Sequence, residues 1–569
     1  MRPAPPSENT ARPITWWVLL GLVVGVAAAY HGTWQAPFVF DDEAAILGNP
    51  TIRTLWPLTV PLAPPAGGLP VSGRPIPNLT LALNFAVSGT QPWSYHATNV
   101  ALHLLAAFVL AALLRRTLRR PVMPERMRAA APELAATVAV VWALHPLATA
   151  AVTYTTQRTE VLASLFLLLT VYAFARAADG AGRSTLWAVV AGVACLLGMA
   201  SKETMAAAPL LVLLYDRTFF AGSFSAPWRQ SWKLHASLMA TWALLAGLAL
   251  GATTRGGTAG FGIGITPLDY ALTQTEAITR YLGLALWPYP LVFDYGVPLT
   301  SDWKVFVPLG LFVSTLLALT IFGIVRRPVL AFPAAVFFAV LAPSSSLVPV
   351  ATQTMGEHRM YLPLAAVLTV AIIGLHAWLG RRAFFLLGAA ACALGVATHA
   401  RNADYASAER LWRDTVEKRP DNARAHNNLA TLLLERGDFA GGVSALERAL
   451  ALRPDYADAH RNLAQALLLA GRVSEALAPA REAQRLDPDS PAGRLLLGQV
   501  LLFDGRAAEA LPHFDAVLAL QPPSAPVLTS RALALLDLGR IDEARTALRE
   551  ALRLDPAHAT ARRVLEGLP

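Results

Sequence analysis

Phe40-Asp41-Asp42-Glu43 sets three carboxylates in a row, about ten residues past an apolar N-terminal segment. Like charges this close oppose full ionisation, so at least one is expected to hold its proton to higher pH than an ordinary carboxylate. A carboxyl group poised near neutrality can take the proton of a hydroxyl nucleophile. The same residues would also serve as a solvated acidic turn with Asp41 capping a helix. The quartet alone does not separate the two.

Further ionisable residues stand at the edges of other apolar runs. They are Arg74-Pro75 with Asn84; Tyr95-His96, Asn99 and His103; His145-Pro146; Gln157-Arg158-Thr159-Glu160; Ser201-Lys202-Glu203; and Glu357-His358-Arg359-Met360-Tyr361. Charged and polar groups near membrane depth are costly and tend to mark function. Each has a plainer role available: Lys202-Glu203 as a self-neutralising pair, His103 as a core histidine, Arg359 as a headgroup anchor. Taken together, cations and carboxylates gathered at one interface suit a substrate bearing a lipid-borne phosphate and a nucleophile that must lose a proton. Arg359, helped by His358, Arg158 or Lys202, is the expected phosphate holder. Arg74, Glu43, His96, His103, His145, Glu203, Glu357 and Tyr361 complete the candidate substrate-binding set. No metal ligand set and no cofactor is expected.

The elements that must position these residues are of two kinds. The chain has 569 residues, 55% hydrophobic and 15% charged, against roughly 25% charged in a soluble domain. About eleven apolar runs are long enough, or nearly so, to span a bilayer. They fall at 14–30, 97–114, 133–150, 160–176, 185–200, 204–220, 234–252, 303–325, 328–349, 359–379 and 383–399. The first is read as an uncleaved span rather than a signal peptide. The stretch 270–298 is expected as an amphipathic helix and turn lying on the outer surface. Net charge is +9. Its basic clusters flank the apolar runs, so it is read as topogenic charge and not as a nucleic-acid footprint. Arg115 to Arg120, Arg217 to Lys233, Arg326-Arg327 and Arg381-Arg382 are expected to face the cytoplasm, which puts 31–96, 145–159, 253–302 and 346–358 outside. The two cysteines, Cys195 and Cys392, lie in apolar stretches, which excludes a disulfide framework and a Cys-based metal site.

Beyond residue 400 the material changes. Gly437, Gly471, Gly505 and Gly539 recur at 34-residue steps, and so do Pro420, Pro454, Pro488, Pro522 and Pro556. That period is the signature of tetratricopeptide (TPR) repeats, helix–turn–helix units that stack to bury their apolar faces. The expected fold is all-α: a polytopic membrane bundle over 1–400, then a repeat domain over 401–569 with full repeats at about 423–556. Asn427, Asn428, Arg461 and Asn462 are candidates for a concave peptide-holding face.

The N-terminal part resembles the membrane domain of the transmembrane-and-TPR protein O-mannosyltransferase family, within the C-type glycosyltransferase superfamily. The resemblance rests on Phe38-Val39-Phe40-Asp41-Asp42, Arg74-Pro75 with Asn84, Tyr95-His96 with Asn99 and His103, His145-Pro146 with Val152 and Arg158, Lys202-Glu203, Trp287-Pro288 with Asp294-Tyr295, Glu357 to Pro363, and the repeat array that follows. It implies transfer of a sugar, mannose or another hexose, from a polyprenyl-phosphate donor to Ser or Thr hydroxyls of exported proteins. The reaction would take place on the non-cytoplasmic side, with inversion at the anomeric centre. It implies Asp41 or Asp42 as the base. The partners are then a lipid-linked sugar, membrane lipids and extended segments of exported proteins gathered by the repeats. From the basic clusters the array is expected on the outer, periplasmic side, and the Ala, Arg and Leu richness suggests a bacterial inner membrane. Ala150 and Gln157 depart from the family pattern, which bears on the sugar or the acceptor more than on the reaction. Two other readings fit the hydropathy: a catalytically inactive membrane-anchored TPR scaffold, and a transporter of lipid-linked sugars.

Overall fold

The computed structural model describes residues 16–180, 183–251, 266–297, 302–347, 349–350 and 353–568. The elements are helical throughout, with no β-strand element among the described residues. The chain divides into two compact units, Met1–Asp414 and Thr415–Pro569. Residues 401–414 thus belong to the first unit, although the repeat pattern assigns them to the array.

Among the described residues of the first unit seven helices are long and apolar enough to cross a membrane, or eight if one bent pair is a single span. Three shorter apolar helices accompany them: Trp17–Thr33, Ser184–Met199 and Pro363–Leu379. Each of the eleven apolar runs therefore falls on a helix, but 133–150 is not continuous as expected. It divides into Ala131–Ala143 and Pro146–Val152, bent by 57°. The cause is local. Pro146 lacks an N–H and pushes the preceding residue out of the helical region. His145 accordingly sits at ψ 126°, and its Nδ1 accepts the Leu147 N–H at 3.2 Å, capping the next turn.

The helix Arg158–Ala178 is the most buried apolar element and lies at the centre of the unit. The stretch expected on the outer surface forms the helix Pro267–Leu286, followed by an irregular segment to Val297. One face of it is buried: Tyr270, Gln274, Ala277, Ile278, Tyr281 and Leu284. Three of these bond other parts of the unit. Tyr270 Oη donates to Ser344 O at 2.9 Å, Gln274 Nε2 to Thr354 O at 2.9 Å and Tyr281 Oη to Gly356 O at 3.0 Å. The helix is therefore a wall of the unit and not a raft upon it.

In the second unit the helices pair as the 34-residue period demands. The pairs are Ala423–Glu435 with Phe439–Leu452, Ala457–Leu469 with Val473–Leu486, Pro491–Phe503 with Ala507–Leu520, and Ala525–Asp537 with Ile541–Leu554. Each hinge glycine takes a left-handed φ, from 73° at Gly539 to 84° at Gly437, which an L side chain resists. The following amide then reaches back to a helix carbonyl at 2.8 Å, as Asp438 N does to Leu433 O and Arg472 N to Leu467 O. The small positions are equally strict. A Cβ on Gly498 would stand 2.7 Å from the ring of the fully buried Phe514. Gly498→Ala is expected to destabilise the array by about 1–3 kcal/mol, the usual cost of overpacking. Limited proteolysis of the full chain across a temperature series would check this, with cleavage after 415 starting at lower temperature.

Candidate active site

Asp42 is 1% exposed, and both its oxygens accept backbone N–H groups: Thr156 N at 2.7 Å on Oδ1 and Val39 N at 3.3 Å on Oδ2. Burial dominates and raises its pKa to about 7; the two amides oppose this and Asp41 adds to it. Asp41 is half-buried, and its own N–H donates to Tyr154 Oη at 3.2 Å. Glu43 points outward and is exposed. The turn is set by Phe40, a non-glycine residue at φ 52°, a strained conformation that tertiary contacts must enforce. Those contacts are aromatic. Phe40 meets Phe293 and Trp412 with ring centroids 6.2 and 5.7 Å away, and Phe293 in turn meets Tyr154 and Tyr405.

The cations gather elsewhere in the same unit. Lys202 Nζ lies 2.7 Å from Glu160 Oε1, with both side chains buried. Arg74 Nη2 bonds both oxygens of Glu203 at 3.1 Å. His358 lies in the field of Lys202, Arg359 and Arg74. Burial first, and those cations second, hold its pKa well below the usual histidine range, so it is neutral at pH 7. Burial also lowers the Lys202 ammonium, with Glu160 opposing. Arg74, Lys202 and Arg359 against Glu160 and Glu203 leave one net positive charge.

The two groups share one stretch of chain. Thr156 holds Asp42, and Glu160, on the first turn of the helix that follows, holds Lys202. Four residues separate them, roughly 6 Å of helical rise. The carboxylate pair and the cation cluster are thus tied to the two ends of one short stretch.

Other predicted residues are committed to holding it together. Arg158, 1% exposed, donates from Nε to Asn99 Oδ1 at 2.6 Å, from Nη1 to Asn84 Oδ1 at 2.6 Å and Thr80 Oγ1 at 3.2 Å, and from Nη2 to Tyr95 O at 2.8 Å. Most of its donors are spent, so it is a brace and not a free phosphate ligand. Arg359 uses Nη1 on Tyr270 Oη and Thr354 O, at 3.1 and 3.0 Å, and Nη2 on Gln353 O at 2.5 Å. It fixes the 353–360 loop and so places His358. Glu357 Oε1 accepts Val292 N at 2.5 Å and Tyr295 Oη at 2.8 Å, and Oε2 faces Arg401 at 3.8 Å. His96 Nε2 donates to Ala36 O at 3.0 Å and pins the first loop. His103 is saturated: Nδ1 meets Tyr361 Oη at 2.7 Å and Nε2 donates to Ala143 O at 3.0 Å. Its ring, Tyr361 and Trp142 form one buried aromatic packet. His145 caps a turn, as above.

Sequence reasoning missed Tyr154, Thr156, Tyr270, Tyr281, Arg401 and the aromatic set around Phe293. Arg401 alone carried a signal, a cation directly beyond the last apolar run. It bonds Asp404 and Asp414, each at 3.0 Å. Among the described residues no group of three or more His, Cys, Asp or Glu side chains is placed to hold a metal ion.

Comparison with known proteins supports the resemblance read from the motifs. Tetratricopeptide repeat models match residues 398–443, 428–491 and 501–566. The chain is similar to human protein O-mannosyl-transferase TMTC3, 28% identical over 216 residues, which is 36% of this chain and 22% of the relative. It is similar to Drosophila melanogaster protein O-mannosyl-transferase Tmtc1, 29% identical over 301 residues, 48% of this chain and 33% of the relative. The mouse protein O-mannosyl-transferase TMTC4 is 24% identical over 479 residues, 73% of this chain and 64% of the relative. The chain thus spans about a fifth of TMTC3 and under two thirds of TMTC4. Among solved structures, the TPR protein YrrB aligns at 20% identity with a TM-score of 0.26, covering 28% of this chain and 82% of that one.

The brace role of Arg158 has its own signature. Arg158→Lys removes the forked donor geometry and leaves Asn84 and Asn99 short of partners, at an expected cost of about 1–3 kcal/mol. A drop in thermal midpoint in detergent, with any correctly folded fraction keeping its donor affinity, is the expected result.

Proposed function

We propose that the protein is an integral-membrane glycosyltransferase. It moves a sugar from a polyprenyl-phosphate donor to Ser or Thr hydroxyls of exported proteins. The observation that carries the reading is the single stretch Thr156–Glu160, which fixes the Asp41–Asp42 pair at one end and the Lys202–Glu160 pair at the other. The similarity to proteins named protein O-mannosyl-transferases supports the reaction class.

In this mechanism the acceptor hydroxyl oxygen attacks the anomeric carbon as the bond from that carbon to the phosphate oxygen breaks. The hydroxyl proton passes to Asp41, the carboxylate that is part-exposed. Asp42, anchored by two amides, positions Asp41 and sets its basicity. The phosphate departs with its electron pair toward Lys202, Arg74 and the remaining donors of Arg359. Neutral His358 is suited to donate a hydrogen bond there. Positioning and charge stabilisation supply the acceleration. Attack from the face opposite the phosphate inverts the sugar.

The array supplies the acceptor. Asn427 and Asn462, on the first helices of adjacent repeats, are bonded to each other at 2.9 Å, and Asn428 lies beside them. Amide ladders of this kind hold extended backbone. Binding there raises the local concentration of acceptor segments. The unit 1–414 acts in the membrane and the array on its non-cytoplasmic side.

Asp41→Asn is expected to lower transfer by about two to four powers of ten at every pH, the usual worth of a general base. Normal transfer by that variant would refute the assignment. The wild-type rate is expected to rise with pH through about 7, as Asp42 loses its proton. Asp42→Asn should flatten that limb and leave a slow, pH-insensitive rate. Lys202→Gln should raise the Michaelis constant for the lipid donor about tenfold or more, and an unchanged constant would remove Lys202 from the donor site. A pH–rate profile with a purified lipid-linked sugar and an acceptor peptide reads all three.

A further inference from the structure

At the basic end of the bundle lies a buried cation that the transfer chemistry does not use. Arg217 follows the helix Ala208–Asp216 and opens the turn Arg217–Ala221. It is 8% exposed, and its Nε and Nη1 have no hydrogen-bond partner. Its Nη2 reaches only Val325 O, at 3.4 Å, and the ring of Phe224 covers the guanidinium at 4.5 Å. Thr218 Oγ1, next in sequence, is buried and unpartnered as well.

The neighbouring charges make this absence specific. Arg116 and Arg120 share Asp179. Asp216 Oδ2 meets His235 Nε2 at 2.9 Å and its Oδ1 is buried without a hydrogen-bond partner, but adjacent residues of a helix face different ways and no ion pair joins it to Arg217 among the described residues. Arg326 and Arg327 directly follow Val325 and are exposed. Among the described residues neither they nor Arg217 form an ion pair with a carboxylate. Arg326 and Arg327 stand at the junction of the helices Trp303–Arg326 and Pro328–Ser345, next in sequence to the Val325 carbonyl that Arg217 meets, with the Arg326 guanidinium over the Phe322 ring at 5.9 Å. Exposed Phe224, Trp228 and Trp232 stand in the adjoining segment, the aromatic signature of a membrane–water boundary. A desolvated guanidinium with idle donors is costly unless an anion meets it. No side chain does.

We propose that Arg217 is the floor of a phosphate site, with Arg326 and Arg327 at its rim, and that its occupant is the headgroup of an anionic phospholipid. Forked N–H donors match phosphate oxygens, and basic pockets between helices at the cytoplasmic leaflet suit such headgroups.

Native mass spectrometry of the full chain, released from detergent with phosphatidylglycerol or phosphatidylcholine at equal concentration, tests the proposal. Phosphatidylglycerol should be retained at least about tenfold more, a difference of about 1.4 kcal/mol. Arg217→Gln should bring it down to the phosphatidylcholine level, and Arg116→Gln should leave it unchanged. If Arg217→Gln does not fold, the exposed double variant Arg326→Gln/Arg327→Gln should weaken retention severalfold. Displacement by millimolar inorganic phosphate would keep the phosphate site but reassign its occupant to the free anion. Equal retention of the two lipids, or retention indifferent to both Arg217→Gln and the double variant, would overturn it.

Discussion

Arg158 is the interaction on which the rest of the first unit depends. A guanidinium taken wholly out of water must be met on nearly every N–H, and here Asn84, Asn99, Thr80 and the Tyr95 carbonyl do so. Those partners come from two other helices, Pro75–Ser88 and Trp93–Leu118. The arginine therefore fixes the N-terminus of the central helix against both. That N-terminus is flanked by Thr156 on one side and Glu160 on the other. Whatever holds Arg158 in place also sets the spacing between the acid pair and the cation cluster.

A second layer of the same logic runs through Glu357 and Arg401. Glu357 gathers the irregular segment at 291–295, and Arg401 gathers Asp404 and Asp414. Phe293, carried on that segment, is the aromatic hub against which Phe40 is held in its left-handed turn. The acid pair is thus positioned from below by amides and from the side by rings. Most of the ionisable residues that looked chemical in the sequence are the braces of this arrangement. Few are left free to touch a substrate.

The distinction was only partly legible beforehand. The array announced itself, because glycine and proline at a fixed step have a local cause that no tertiary contact overrides. The apolar runs were legible for the same reason. The break at His145 does not show in mean hydropathy, which is blind to backbone hydrogen bonding, although Pro146 marks it in the sequence. Asp42 was found from its neighbours in sequence, but its anchors Thr156 and Val39 act through backbone N–H groups, which every residue type carries. His103 and Lys202 look alike on paper, each a polar residue in an apolar setting. Only the three-dimensional count of partners separates a histidine with both nitrogens occupied from a lysine held by one carboxylate.

The break at His145 bears on what a transferase of the proposed kind could accept. Its first half, Ala131–Ala143, covers about 20 Å at 1.5 Å per residue, short of a hydrocarbon layer of roughly 30 Å. The chain then turns aside and builds the short segments that lead to Tyr154 and Thr156. On the proposed function, the acid pair anchored on those two residues would lie below the lipid headgroups. A compact globule could not descend to that depth; a slack length of polypeptide could. Sugar attachment of this kind would belong to the interval between export and maturation of the acceptor, or to tails that never adopt a fold. Selection among substrates would then rest on how long a segment stays unstructured as much as on its side chains.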